Sequence, residues 1–237
     1  MRLVVTRPQV DGERTAAALR ACGHEVLLAP LMRVEPVKAD LSGTWSAVII
    51  TSANAPFAIA GNPSCKALFK LPVFAVGQRS AEAAREAGFT DVTSAGGDVR
   101  DLARLIAERR PDAAAPLLYL AGEDRAADLV GELVMHGIAA EMAVVYRAVT
   151  APFPPELVAA LETGEVDAVL HFSKRSAENY VAGAAQAGVA NQALAVRHIC
   201  LSAQIAAPLV DAGAGRIAIA PRPSETALIA SLERAQG

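Results

Sequence analysis

Short apolar runs alternate with segments whose apolar residues return every third or fourth position, along almost the whole chain. The runs are Leu3–Thr6, Val26–Val34, Ala47–Ile50, Val73–Val76, Asp91–Ser94, Leu117–Leu120, Met142–Val149, Ala168–Phe172, Ile199–Ser202 and Ile217–Ala220. They are rich in Val, Ile and Leu, and several lack the polar alternation of a half-exposed strand. That pattern predicts central parallel strands covered on both faces. The intervening Ala-rich segments, among them Gly12–Cys22, Ser80–Ala87, Val99–Arg109, Asp124–His136, Lys174–Ala187 and Ser224–Arg234, have helical periodicity. Strand then helix, repeated, predicts an α/β fold with right-handed crossovers.

The chain also matches itself. LLYLAGEDRAADLVGELVMHGIAAEMAVVYRAV aligns with RLVVTRPQVDGERTAAALRACGHEVLLAPLMRV, with Gly137 on Gly23 and Arg147 on Arg33. WSAVIITSANAPFAI pairs with VDAVLHFSKRSAENY, PVFAVGQRSAEAAREAGF with HICLSAQIAAPLVDAGAG, and TSAGGDVRDLARLIAER with IAPRPSETALIASLER. The matches follow a cyclic order, so one copy is continuous and sits inside the other. The expected fold is two similar flavodoxin-like parallel-sheet domains, one inserted in the other and joined by a two-stranded linker. The expected boundaries are 1–35 plus 152–237 for the interrupted domain and 36–150 for the inserted one. Pro30 and Pro36 flank the outward passage, and Pro152, Pro154 and Pro155 the return, where extended chain is favoured.

Composition narrows the function. Apolar residues make up 53% of the 237 and charged residues 20%, which is a globular balance. The net charge of -3 lacks the basic excess of a nucleic-acid binder. No apolar run approaches the roughly 20 residues of a membrane helix, and the first residues lack a signal-peptide layout. The three cysteines are odd in number and widely spaced, so neither a disulfide framework nor a metal clip is expected, and the cytoplasm is the expected compartment. No exposed apolar stripe or heptad is evident, so a monomer is expected. Neither a P-loop nor a GxGxxG turn is present, which weighs against a nucleotide-binding enzyme. The four histidines lack metal spacing; His24 and His136 stand beside helix-ending glycines, and His171 and His198 read as packed residues. Neither a metal nor a cofactor is expected.

What recurs is polar chemistry where strands give way to helices: Thr6-Arg7-Pro8, Thr51-Ser52-Ala53-Asn54, Gly77-Gln78-Arg79-Ser80, Gly122-Glu123-Asp124, Ser173-Lys174-Arg175-Ser176, Ser202-Ala203-Gln204 and Pro223-Ser224. In a parallel sheet these loops gather at the carboxyl ends of the strands, where ligands bind. Helix N-termini there offer backbone N–H groups to anions. Each hydroxyl, taken singly, is equally an ordinary N-cap. Together, with Arg7, Arg79, Arg175 and Arg222 nearby in sequence, they suit a ligand carrying many carboxylates. A non-catalytic, hinged polycarboxylate-binding protein would share this pattern.

VVTRP, VIITSANA, AVGQRSAEAAREAGF, AGEDRAADLVGELVMHGI with VVYRAV, VLHFSKRSAENY and APRPSETALIASL occur in the order in which the uroporphyrinogen-III synthase family has them, and the chain resembles that family over nearly its whole length. The resemblance implies a cofactor-free lyase of haem biosynthesis. Its substrate would be hydroxymethylbilane, a linear tetrapyrrole with eight carboxylates, closed with loss of water and inversion of the last pyrrole. It implies a catalytic role for Tyr146, on the return linker strand. It also implies substrate binding at Thr51, Ser52, Ser80, Ser173 and Ser224, with Thr6, Arg7 and Ser176 in the same strand-end loops. One loop departs from the family: where many members read IGPTTA, this chain has Leu201-Ser202-Ala203-Gln204-Ile205-Ala206, leaving Ser202 or Gln204 as substitute donors.

Overall fold

The computed structural model describes residues 1–109, 115–125 and 127–233. In chain order the first elements are β1 (Arg2–Val5), α1 (Gln9–Ala21), β2 (Glu25–Leu28) and β3 (Met32–Pro36). There follow β4 (Val48–Ile50), α2 (Asn54–Ala58), α3 (Cys65–Leu68), β5 (Val73–Ala75), α4 (Gln78–Glu86), β6 (Val92–Ser94) and α5 (Val99–Arg109). Next come β7 (Leu117–Gly122), α6 (Leu129–Met135), β8 (Ala140–Thr150), α7 (Pro155–Glu162), β9 (Ala168–His171), α8 (Lys174–Gln186) and α9 (Ala190–Ala195). The last are β10 (Arg197–Cys200), α10 (Ala203–Asp211), β11 (Ile217–Ile219) and α11 (Glu225–Glu233). Contacts divide the chain into two compact units, Met1–Arg33 with Val149–Gly237, and Val34–Ala148.

The first sheet has the order β11-β10-β9-β1-β2 and the second β3-β8-β7-β4-β5-β6. The registered pairings in both are parallel. Setting β2 on β8, β1 on β7, β9 on β4, β10 on β5 and β11 on β6 superposes one strand order on the other. The two sheets are therefore one layout, threaded from different starting points, as the internal matches require. Gly23 and Gly137 end equivalent helices, α1 and α6, with φ of 82° and 71°, the left-handed region a side chain resists.

The strand expected over Val26–Val34 is two strands. Pro30 has no N–H with which to continue the ladder. The Leu31 N–H still reaches the Thr6 carbonyl at 3.2 Å. Beyond it the chain leaves the first sheet and joins the second as β3. The helix expected over Asp124–His136 begins at Leu129, because the Asp128 carboxylate accepts the Gly131 N–H at 3.0 Å and sets the cap there. Arg234, at the end of the helix expected over Ser224–Arg234, lies outside the described residues.

Each sheet is covered on both faces, which is why its strands read as unbroken apolar runs. On β7, Leu118 and Leu120 pack with Ile50 on one face, while Tyr119 and Ala121 pack with Ile49 on the other. On β9, Ala168 and Leu170 meet Leu228 and Leu232 of α11, and Val169 faces Tyr180 of α8. Tyr180 is fully buried, and its hydroxyl donates to the Ala193 carbonyl at 3.1 Å.

The same face of the first sheet holds a histidine pair. His171 Nε2 and His198 Nδ1, on neighbouring strands, lie 3.1 Å apart, both fully buried, with the Tyr180 ring edge-on to each. Burial pushes His198 down to about 4, partly opposed by a contact with the Ala193 backbone. Burial, reinforced by His198, holds His171 well below its ordinary value. Both imidazoles therefore stay neutral in the folded chain. Unfolded histidine titrates near pH ~6.5, so below that pH the unfolded chain binds protons that the folded chain refuses. Stability should be undiminished above pH ~6.5 and fall toward pH ~4, by up to about 1.4 kcal/mol per pH unit for each imidazole. Urea denaturation across that range should show the loss, and His198→Phe should make the slope shallower.

Candidate active site

In each sheet one pair of neighbouring strands marks where the chain reverses its direction of travel across the sheet. These are β1 and β9 in the first unit and β7 and β4 in the second. Loops beyond the carboxyl ends of such strands diverge and leave room for a ligand. Thr6, Arg7, Ser173 and Ser176 follow the first pair of strands. Thr51, Ser52 and the turn after Gly122 follow the second.

In the first unit these side chains are mostly occupied by the fold. Thr6 is fully buried, and its hydroxyl donates to the Leu170 carbonyl at 3.2 Å. Arg7 lies over the Phe172 ring at 4.5 Å and donates to Thr15 at 3.1 Å and to Glu225 at 3.0 Å. Burial alone would raise the Glu225 carboxyl; a hydrogen bond from Thr15 and the charges of Arg7 and Arg14 outweigh it and hold the group below its ordinary value. This network ties α11 to the first turns of α1. Ser173 caps α8 by accepting the Ser176 N–H at 3.1 Å, and it donates to the buried Ser176 hydroxyl at 3.0 Å. Ser224 likewise accepts the Ala227 N–H at 3.2 Å.

The equivalent helices α4 and α10 begin differently. Their N-caps, Gly77 and Ser202, are extended and make no side-chain capping bond. Gly77 has no side chain to cap with, the Ser202 hydroxyl makes no capping bond, and Gln204 is exposed. Ser80 is buried inside the first turn of α4.

In the second unit the strand ends converge on aromatic hydroxyls. Thr51 Oγ1 lies 2.9 Å from the Tyr119 hydroxyl. Burial raises the Tyr119 phenol above its ordinary value; the Thr51 bond opposes this, Tyr146 adds to it, and Arg125 opposes it. Ser52 accepts the Asn54 N–H at 3.2 Å and shapes its turn. Tyr146, half-buried, lies across Gly122 at the end of β7. Its carbonyl accepts the Glu123 N–H at 2.9 Å. Arg125 Nη1 donates to the Gly122 and Glu123 carbonyls at 3.1 and 3.0 Å, closing the turn.

The family model for uroporphyrinogen-III synthase HemD matches residues 13–230. The chain belongs to the uroporphyrinogen-III synthase family. It is similar to the solved uroporphyrinogen-III synthetase of Helicobacter pylori, with a TM-score of 0.65 and 20% identity over 99% of each chain. A mutant uroporphyrinogen III synthase of Thermus thermophilus aligns with a TM-score of 0.49 and 19% identity, over 100% of this chain and 98% of that one. The wild-type protein of that organism gives 0.45 and 19% over the same shares. At these identities the Helicobacter structure shows a shared fold. A search of curated proteins finds no match.

The structure thus sorts the candidate residues of this uroporphyrinogen-III synthase family member. Thr6, Arg7, Ser52, Ser173, Ser176 and Ser224 have their polar groups engaged within the fold. At the second unit's strand ends Thr51 meets Tyr119, and Tyr146 meets Gly122, whose carbonyl accepts from Arg125; sequence reasoning did not single out Tyr119 or Arg125. Tyr119 lies hidden in an apolar strand, and Gly122 stands in the strand end Gly122-Glu123-Asp124 with no sign of the ring that will lie beside it. Among the described residues no group of three His, Cys, Asp or Glu side chains could hold a metal ion. No helix of the described residues is long and apolar enough to cross a membrane.

Capping and free ends separate by experiment. Ser173→Ala should cost about 1 kcal/mol of stability. Ser202→Ala should cost little, because that hydroxyl caps nothing. Thermal melts of the two variants check the contrast.

Proposed function

We propose that the chain is a uroporphyrinogen-III synthase acting on hydroxymethylbilane, and that residues 1–35 with 152–237 and residues 36–150 are its two domains. Membership of the family over residues 13–230 carries this reading. In the proposed reaction the terminal hydroxyl leaves as water, pushed out by its electron-rich pyrrole, and an azafulvene remains. The far pyrrole attacks it through its substituted carbon, forming a spiro intermediate, which fragments and recloses with that ring turned over. Atoms balance as hydroxymethylbilane giving uroporphyrinogen III and water.

Such chemistry asks the protein for placement more than for a strong acid or base. Closure at the unsubstituted carbon is the competing path. A preference of about 100-fold over it corresponds to about 2.7 kcal/mol of differential barrier, within the reach of orientation. The tips of α4 and α10, equivalent in the two units and free of side-chain caps, are the anion sites we assign to substrate carboxylates. Ser202 and Gln204 supply donors at the loop that departs from the family. Ser80, Thr51, Ser52, Ser173 and Ser224 border the same strand ends and contribute through their main chain. The Tyr146 phenol donates a hydrogen bond or proton to the departing hydroxide.

We place this activity in the cytoplasm, in a monomer. Three free cysteines, Cys22, Cys65 and Cys200, suit a reducing compartment. Light scattering should give the mass of one chain.

Incubation with freshly generated hydroxymethylbilane should yield the III isomer by chromatography. A protein that merely binds the substrate would leave the I isomer. Tyr146→Phe should lower kcat by about 100-fold while the thermal melt is retained; unchanged turnover would remove the phenol from the mechanism.

A further inference from the structure

We infer that Gly122 is a positioning residue for Tyr146, kept free of a side chain so that the tyrosine ring can lie across the end of β7. The catalytic consequence rests on the proposed role of Tyr146; the placement itself does not. A Cβ built on Gly122 would stand 2.6 Å from Tyr146 Cζ, 2.8 Å from Cε2 and 2.8 Å from the hydroxyl oxygen. Those three nearest atoms all belong to the phenol end of one ring.

Backbone conformation does not explain the glycine. Gly122 is absent from the glycines with positive φ, so its main chain is one that alanine adopts without strain. It is also the last residue of β7. What a methyl group there would displace is the tyrosine.

The register of β8 supplies a second observation. Ala121 pairs with Val144, but Gly122 pairs with Tyr146, so Val145 is an extra residue and the pairing is bulged. Without the bulge Val145, which is buried in the apolar core, would oppose Gly122. Bulges re-aim side chains next to functional sites, and this one brings the tyrosine onto the bare position. The bond from the Glu123 N–H to the Tyr146 carbonyl, 2.9 Å, then fixes the tyrosine backbone. With the main chain held, the ring reaches inward from β8 over β7. That places the phenol at the carboxyl end of β7, against the bare Gly122.

Because the clash involves the far end of a mobile side chain, Gly122→Ala should fold with its phenol pushed aside. The chain has three tyrosines, so ring-labelled tyrosine gives an NMR spectrum that Tyr146→Phe can assign. Gly122→Ala should move the Tyr146 resonance and leave that of Tyr180 in place. It should lower kcat by about tenfold with KM within about twofold of the parent, and raise the share of the I isomer. In a Tyr146→Phe background the same substitution should leave kcat unchanged.

An unmoved Tyr146 resonance, or an equal loss of rate in both backgrounds, overturns the inference. If Tyr146→Phe keeps full turnover, the phenol's catalytic role falls, and the NMR spectrum alone then decides the placement. If Gly122→Ala loses its melting transition, the double variant Gly122→Ala with Tyr146→Ala should recover it, since the ring leaves along with the clash. Failure to recover also overturns the inference.

Discussion

Parallel pairing is the constraint from which the rest of this molecule follows. Strands that run the same way need a crossover between them, and here each crossover carries a helix that returns the chain to the starting edge. The carboxyl ends of the parallel strands of a sheet therefore lie along one edge, and the helices that follow them begin there. Their N-termini bring main-chain N–H groups and the positive ends of their dipoles to that edge. Such an edge attracts anions whatever the net charge of the chain, which is why a formal -3 is no obstacle to a carboxylate-rich ligand.

The two units use this edge differently from the simple picture of a row of hydroxyls. Where a hydroxyl follows a strand, it is often consumed locally. Thr6 donates to Leu170, Ser173 caps α8, Ser224 caps α11, and Arg7 braces α1 against α11 through Glu225. Two of the helix starts without such a cap, at Gly77 and Ser202, are related by the internal repeat. An N-terminus capped by its own side chain has one fewer main-chain donor to offer. On this view the loss of the family's glycine and threonines at residues 201–206 matters less than it first suggests, because main-chain donors do not depend on side-chain identity.

Much of the fold was legible from residues alone. Unbroken apolar runs located most of the strands and period-3.6 patterns the long helices, and the cyclic order of four internal matches implied the permuted pair of sheets that the strand orders display. Short elements were less visible: α3 and α9, of four and six residues, hold too few turns for a periodicity to show. The break after β2 was masked because residues on both sides of Pro30 are apolar and extended. His171 and His198 were legible as packed residues, but not as partners, since 27 residues separate them and only the pairing of β9 with β10 brings them together.

Sequence by itself determined what depends on near neighbours along the chain: the alternation of strand and helix, the glycine caps at Gly23 and Gly137, the internal repeat and the family. Tertiary structure decided which polar groups remain available and which side chains share a site. A serine reads the same whether it caps its own helix or faces a ligand, and a tyrosine in an apolar strand gives no sign that a threonine 68 residues away will meet its hydroxyl. The contact of Tyr146 with Gly122 depends on a bulge between two strands, a property of register that neither segment carries alone. Periodicity and capping are encoded within a few residues, whereas hydrogen-bond occupancy and steric room are set by whatever the fold places alongside.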